Sequence, residues 1–251
     1  MTSSVGELVV WLVPISGIPA SRVQPRDVQG FVASRWMDHD ANNWSAAFVG
    51  LDDGTAFIRV STLDDQAKEQ LHRAAIPGAP VQLGIHRGTV LGGPQAVDST
   101  VWADLSAPAT ALAWSIQFAT PTAFARGRGA PVPWPDPFVM TSSMTKRWNS
   151  IAPSAFALTV PEPKLVAQLV VTDFELTNVR FDLRRSSSRS EITVSASVGR
   201  MTVSAGASDV ADVFEPLLRL ATFTGMGAYT KWGLGVTEVG YPSTGAARRA
   251  L

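Results

Sequence analysis

Residues 44–61 read Trp44-Ser-Ala-Ala-Phe-Val-Gly-Leu-Asp-Asp-Gly54-Thr-Ala-Phe-Ile-Arg-Val-Ser61. Two runs rich in apolar residues flank Asp52-Asp53-Gly54, a hairpin turn signal, which predicts strands over 44–51 and 55–61. Downstream, residues 64–75 have helical spacing, capped in the Thr62/Asp64 neighbourhood and closed by Pro77-Gly78. Residues 81–85 then supply a further strand. Upstream, the apolar run from Leu8 to Val13 makes a strand of 7–16, ended by Pro14 and Gly17. Val23, Val28, Phe31, Val32 and Trp36 follow near helical spacing, with Ser21 as the N-cap. The order is strand, helix, strand, strand, helix, strand, which is the ferredoxin-like plan.

The second half repeats that order. Residues 114–120 alternate like a strand, and 137–150 form a helix opened by Pro135-Asp136-Pro137. Residues 164–182 are long, β-rich and interrupted, and 191–204 alternate as another strand. Residues 208–223 read as a helix with a Ser-Asp start and Val210, Val213, Phe214, Leu217 and Leu218 as its apolar stripe. Residues 236–239 close the module. Between the halves, 103–113 is rich in Ala, Ser and Pro and reads as an inter-domain connection. The expected fold class is α+β, with two tandem ferredoxin-like (βαββαβ) modules over 1–108 and 109–251.

Composition narrows the chemistry. The 251 residues are 45% hydrophobic and 17% charged, a balance of folded chains rather than disordered ones. Cysteine is absent, which excludes disulfide scaffolds, thiol nucleophiles and cysteine-based zinc sites. With only His39, His72 and His86, no histidine-rich metal centre is expected, and neither a metal site nor a cofactor is assigned. Residues 1–7 lack a basic n-region, and the apolar stretch behind them breaks at Pro14 and Pro19. Neither a signal peptide nor a membrane span is expected, so the default location is cytoplasmic, with no membrane partner. The net charge of zero hides an asymmetry: seven Lys and Arg against eleven Asp and Glu up to residue 108, fourteen against ten thereafter. A basic half is a reason to look for a nucleic-acid surface there.

Two local patterns stand out. One is Gly225-Met-Gly227-Ala-Tyr229-Thr-Lys231-Trp-Gly233-Leu-Gly235, between the last helix and the last strand. Its glycines permit positive φ and close backbone approach by a ligand, while Lys231 offers a phosphate partner and Tyr229 a stacking or hydrogen-bonding group. It is neither a P-loop nor a dinucleotide fingerprint, and by glycine content alone it reads as a flexible helix-to-strand turn. The other is Phe118-Ala-Thr120-Pro121-Thr122-Ala-Phe124, followed by Val132-Pro-Trp134-Pro-Asp136-Pro137 and a helix ending Lys146-Arg147-Trp148.

Taken together, a strand ending in Thr-Pro-Thr-x-Phe, a Pro-Asp-Pro helix entry, a basic-aromatic helix end and a Gly-rich loop before the last strand resemble the CRISPR-associated repeat-cleaving endoribonucleases. These belong to the repeat-associated mysterious protein superfamily, and the resemblance is nearest to actinobacterial members. It is specific in 114–148 and 221–239 and weak in the first 108 residues. The resemblance implies a metal-independent ribonuclease that cuts precursor CRISPR RNA within each repeat, leaving a 2′,3′-cyclic phosphate and a 5′-hydroxyl.

Such chemistry uses the 2′-hydroxyl of the repeat as nucleophile, with a base, an acid and donors for the transition-state charge. In the family the histidine lies in the first module shortly after the first helix, and His39 occupies that position. The end of the helix dipole, Asp38 and Asp40 favour imidazolium there, which suits a general acid. Without the resemblance, His39 reads as an exposed polar residue after a helix. His72 reads as surface, and His86 as structural or in RNA contact. Many members add a tyrosine and a lysine. The first module here has no tyrosine, and its single lysine, Lys68, reads as part of the second helix, so Lys231, Arg35 or Ser45 takes the supporting role. Arg35 lies four residues before His39, on the same helix face.

The implied partner is CRISPR repeat RNA, with an effector complex as recipient of the product and a homodimer as a form common in the family. Holding RNA needs phosphate neutralisation. Arg180, Arg184, Arg185 and Arg189 surround the Ser-rich turn at 186–190, and Arg126 and Arg128 follow the Thr-Pro-Thr strand. The Gly-rich loop (Gly225, Gly227, Tyr229, Lys231, Gly233, Gly235) completes the expected RNA surface. Each arginine taken singly reads as ordinary surface charge on a solvated turn, and it is four in ten residues that point to phosphate. Two rival functions remain: a non-catalytic CRISPR RNA-binding subunit of an effector complex, which has no use for His39, and an interaction module unrelated to RNA.

Overall fold

The computed structural model describes residues 6–19, 23–50, 55–125, 130–184 and 191–242, the side chains of 181–184 and 191–192 excepted. The chain divides into two compact units: Met1–Asp104 with Tyr229–Leu234, and Leu105–Ala228 with Gly235–Leu251.

The first unit opens with β1 (Leu8–Ser16), whose residues from Leu8 to Trp11 are all buried, as a central strand requires. Helix α1 (Pro25–Arg35) follows. Its cap is Gln24, whose backbone N–H donates to Asp27 at 3.2 Å, and Pro25 stands where a missing N–H costs nothing. The expected cap, Ser21, lies outside the described residues. Strands β2 (Trp44–Gly50) and β3 (Ala56–Thr62) pair in antiparallel register, Trp44 opposite Thr62 and Gly50 opposite Ala56. The Asp52-Asp53-Gly54 turn itself falls outside the described residues. Helix α2 (Asp65–Ala74) is capped by Asp64, which accepts from the Ala67 N–H at 2.8 Å, and buries Ala67 and Leu71.

The strand expected over 81–85 is β4 (Pro80–Leu83), but it does not pair with β1. It turns at Gly84 into β5 (His86–Val90), and β6 (Gln95–Thr100) follows. Two antiparallel strands thus share the flank of β1: β6 along Leu8–Leu12 and β5 at Ile15–Ser16. Pro14 falls in the gap between them, where its missing N–H is tolerated, and its carbonyl accepts the Leu91 N–H at 2.8 Å. The proline that reads as a strand terminator therefore sits inside the strand. The core joins β1 and β3 to Val28, Phe31 and Val32 of α1 and Leu71 of α2.

After the short α3 (Trp102–Leu105), the second unit runs β7 (Ala113–Thr122), α4 (Pro137–Ile151), α5 (Pro163–Val166), β8 (Leu169–Arg184), β9 (Glu191–Ala205), α6 (Ser208–Thr224) and β10 (Thr237–Gly240). Its sheet has the order β10-β7-β9-β8, antiparallel throughout, which is the ferredoxin-like order. Helix α4 is capped by Asp136, which accepts from the Phe138 and Val139 N–H groups at 2.9 and 3.3 Å. Trp114, Ile116 and Phe118 of β7, Met201 and Val203 of β9 and Phe214, Leu217 and Leu218 of α6 are buried. No helix among the described residues is long and apolar enough to cross a membrane.

Candidate active site and nucleic-acid interface

His39 lies in the connection from α1 to β2. The connection is tied at several points: the Trp44 indole donates to the Asp38 carbonyl at 2.7 Å, the Met37 N–H to Val32 at 2.9 Å, and Asn43 to both oxygens of Asp64 at 3.0 and 2.8 Å. On this anchored segment the imidazole is 72% exposed, its Nδ1 3.2 Å from Asp40 Oδ1. An exposed ring on a fixed backbone is open to a substrate hydroxyl or leaving oxygen.

Helix α1 ends at Arg35 with Trp36 as its cap. His39 therefore stands beyond the last turn, where the helix dipole has largely faded, and it shares no helix face with Arg35. Arg35 instead lines an open groove of ≈ 690 Å³ with Arg26, Ser34 and Gln82, and His39 is not among the groove's lining residues. Ser45 is buried on β2 opposite Ser61.

The Gly-rich loop approaches the same region of the first unit. Residues Thr230–Trp232 form a single 3-10 turn that packs on α1 and β2, the two elements that bracket the His39 connection. Contact is close: a Cβ on Gly233, which has φ +78°, would lie 2.9 Å from the Ala46 carbonyl. Lys231 is half-buried in this turn, and Tyr229 precedes it in the left-handed region at φ 64°. Lys231 is thus held on the strand that carries Ser45 and the helix that leads to His39.

The other loop residues belong to the second unit, where they are fixed by the Thr-Pro-Thr motif. Gly235 N–H donates to the Pro121 carbonyl at 3.1 Å, Val236 N–H to Thr120 Oγ1 at 3.0 Å and Ala228 N–H to the Ala123 carbonyl at 2.7 Å. The Met226 N–H closes the loop on Gly235 at 2.7 Å. The space that a Cβ would take at Gly227 and Gly235 is filled by the carbonyls of Ala123 and Met226. Close backbone approach does occur here, and the approaching group is the chain itself. Gly225 ends α6 with φ 71°.

Of the arginines expected to hold RNA, the long ribbon of β8 and β9 carries one whose side chain is described, Arg180. Register places Asn178, Arg180 and, opposite them, Ser197 and Ser195 on one face. Arg180 is exposed there. The backbone of Arg184 ends β8, while Arg126, Arg128, Arg185 and Arg189 lie outside the described residues. At the end of α4, Trp148 is a core residue whose indole donates to the Phe156 carbonyl at 2.7 Å, and burial lowers the pKa of the neighbouring Arg147. His86 starts β5, and exposed His72 meets the Trp11 ring edge-on at 4.7 Å. Among the described residues no group of three or more His, Asp and Glu is arranged to hold a metal ion.

One polar centre escaped the sequence reading. Glu215, on the apolar stripe of α6, is only 1% exposed. It accepts from the Thr110 N–H and hydroxyl, the Ala111 N–H, the Trp114 indole, Arg219 and the Tyr241 hydroxyl, at 2.6 to 3.2 Å. Arg219 in turn donates to the Ala107 and Pro108 carbonyls at 2.6 and 3.1 Å. Residues 107–111, within the segment that reads as an inter-domain connection, are strapped to α6. The i,i+4 spacing of Glu215 and Arg219 beside the apolar stripe is the signal that marks this centre.

The fold defines a protein of two ferredoxin-like modules in tandem. The family model of the CRISPR-associated endoribonuclease Cas6 matches residues 116–237, from β7 to the start of β10. Among solved structures, the chain is similar to a Cas6 in which a histidine is replaced by alanine, with TM-score 0.74 and 22% identity over 94% of this chain and 100% of that one. It is similar to the same Cas6 in a product complex, with TM-score 0.73 and 23% identity over 94% and 100%. Thermus thermophilus Cas6 has TM-score 0.67 and 18% identity over 94% and 100%. No curated protein matches the chain.

Proposed function

We propose that the chain is a CRISPR repeat endoribonuclease that needs no metal. The repeat's own 2′-hydroxyl attacks the adjacent phosphate, giving a 2′,3′-cyclic phosphate and a 5′-hydroxyl product. His39 transfers the proton as general acid or base, Lys231 supports the charge that develops on phosphate, and the arginine-bearing ribbon with Arg180 holds the RNA. Ser45 and Arg35 are weaker partners, one buried in the sheet and the other facing a separate groove. The observation that carries this reading is the packing of the Lys231 turn onto α1 and β2, the elements that bracket an exposed histidine on a tied segment. The match of the Cas6 endoribonuclease family model over 116–237 supports the RNA-cleaving part of this reading. The product is expected to pass to an effector complex.

The test is cleavage of a labelled repeat RNA in excess EDTA by wild type and by His39→Ala. A single cut that survives chelation, slowed by about 10²–10⁴-fold in the variant while binding persists, is the expected result for lost acid–base catalysis. Binding without cleavage by both proteins would replace this reading with a holder of CRISPR RNA. Loss of the cut on chelation would remove the metal-free step.

A further inference from the structure

Trp134 and Phe174 are large aromatic residues that the fold leaves 41% and 57% exposed. Their ring centroids lie 5.4 Å apart at an interplanar angle of 88°, an edge-to-face contact whose solvent-exposed ring surfaces meet at a right-angled notch in the second unit. Phe174 stands on the core face of β8, opposite the fully buried Met201 of β9. It marks the place where that face leaves the core and becomes surface.

Trp134 is held rigidly although it is exposed. Proline flanks it on both sides, at 133 and 135, which restricts its backbone. Val132 exchanges both backbone hydrogen bonds with Phe124 at 2.8 and 2.9 Å, and the Asp136 N–H returns to the Trp134 carbonyl at 3.0 Å. A ring fixed in this way binds with little ordering cost. Further along the same face of β8, side chains alternate to exposed Asn178 and Arg180. Arg180 is six residues beyond Phe174, about 20 Å away at ~3.4 Å per residue. An exposed aromatic pair in line with an exposed arginine is an arrangement that suits single-stranded nucleic acid, bases on rings and phosphate on the cation.

We infer that the Trp134–Phe174 notch is a stacking site for an unpaired nucleobase of the bound RNA. The inference rests on the RNA reading above and adds a second point of contact to it. It accounts for aromatic side chains where aliphatic ones would serve a purely apolar contact.

The experiment compares two repeat RNAs, one with its unpaired flanking nucleotides and one trimmed to its paired part, with 2-aminopurine placed in turn at each flanking position. Wild type should bind the flanked RNA more tightly and quench the fluorophore at one position. Trp134→Ala and Phe174→Ala should each cut the flanked-to-trimmed affinity ratio by about fivefold to a hundredfold and abolish that quenching. Trp134→Phe should keep most of both. Arg180→Ala should weaken binding of both RNAs and leave the ratio standing. Phe174→Leu covers the chance that the alanine variant folds poorly: it keeps apolar area and removes the ring, and it should behave like Phe174→Ala. An unchanged ratio in the alanine variants sinks the stacking site while leaving the nuclease reading intact. Full retention of ratio and quenching by Phe174→Leu also overturns it, pointing to an aliphatic contact of the kind a protein partner makes. If wild type neither binds nor cuts either RNA, the proposed function itself fails.

Discussion

Glu215 shows how a single residue can organise a unit. Burial alone would push its carboxyl pKa up, but the hydrogen bonds from Thr110, Trp114 and Arg219 outweigh burial and hold it below the usual carboxylate range. A carboxylate depressed in the folded state stabilises fully above its unfolded pKa, about 4.3, and that contribution drains away as pH falls through the lower folded value. The melting temperature of wild type should therefore fall more steeply between pH 6 and pH 3 than that of Glu215→Gln, measured by circular dichroism. Parallel curves would contradict this. Glu215→Ala should cost about 3–5 kcal/mol at pH 7, because Arg219 and buried donors lose their acceptor together. His39 is the opposite case at this scale: it is exposed, and the role proposed for it rests on that exposure and on a tied backbone rather than on burial.

At the scale of elements, the Gly-rich loop and the Thr-Pro-Thr strand end form one structure. Thr120 Oγ1 receives the Val236 N–H, so Thr120→Val preserves shape and removes the acceptor. The orphaned N–H should cost about 1–3 kcal/mol, read as a lower midpoint in urea, whereas an unchanged midpoint would mean that the bond contributes nothing net. Helices α1, α2, α4 and α6 were legible because caps, prolines and apolar spacing are local signals. The four strands of the second sheet were legible for the same reason. Strands β5 and β6 were not: His86–Val90 and Gln95–Thr100 are short, and β6 is largely exposed, so neither shows a clean buried alternation. They exist because they cover the flank of β1, a tertiary cause that no window of sequence displays. The Trp134–Phe174 notch joins residues forty positions apart and was not legible.

At the scale of the molecule, the chain does not divide by one cut. Tyr229–Leu234 belongs to the compact unit of Met1–Asp104 although more than a hundred residues separate them. Sequence reading found this segment by its glycines and could not see what it packs on, since contiguous boundaries admit no returning segment. Leu234 is 1% exposed, and Gly233 lies against the backbone of Ala46 and Ala47. The first unit is therefore incomplete without six residues supplied from near the carboxyl end. Leu234→Ala should cost about 2–5 kcal/mol, and the loss should appear in the amide exchange of α1 and β2 as well as near the mutation. A fragment of residues 1–108 should likewise show faster exchange in α1 and β2 than the full chain does. Equal protection in fragment and full chain would mean that the returning segment merely rests on a finished module. Faster exchange would mean that the surface presenting His39 is completed only once residues 229–234 have packed on it, which ties that segment to the full chain.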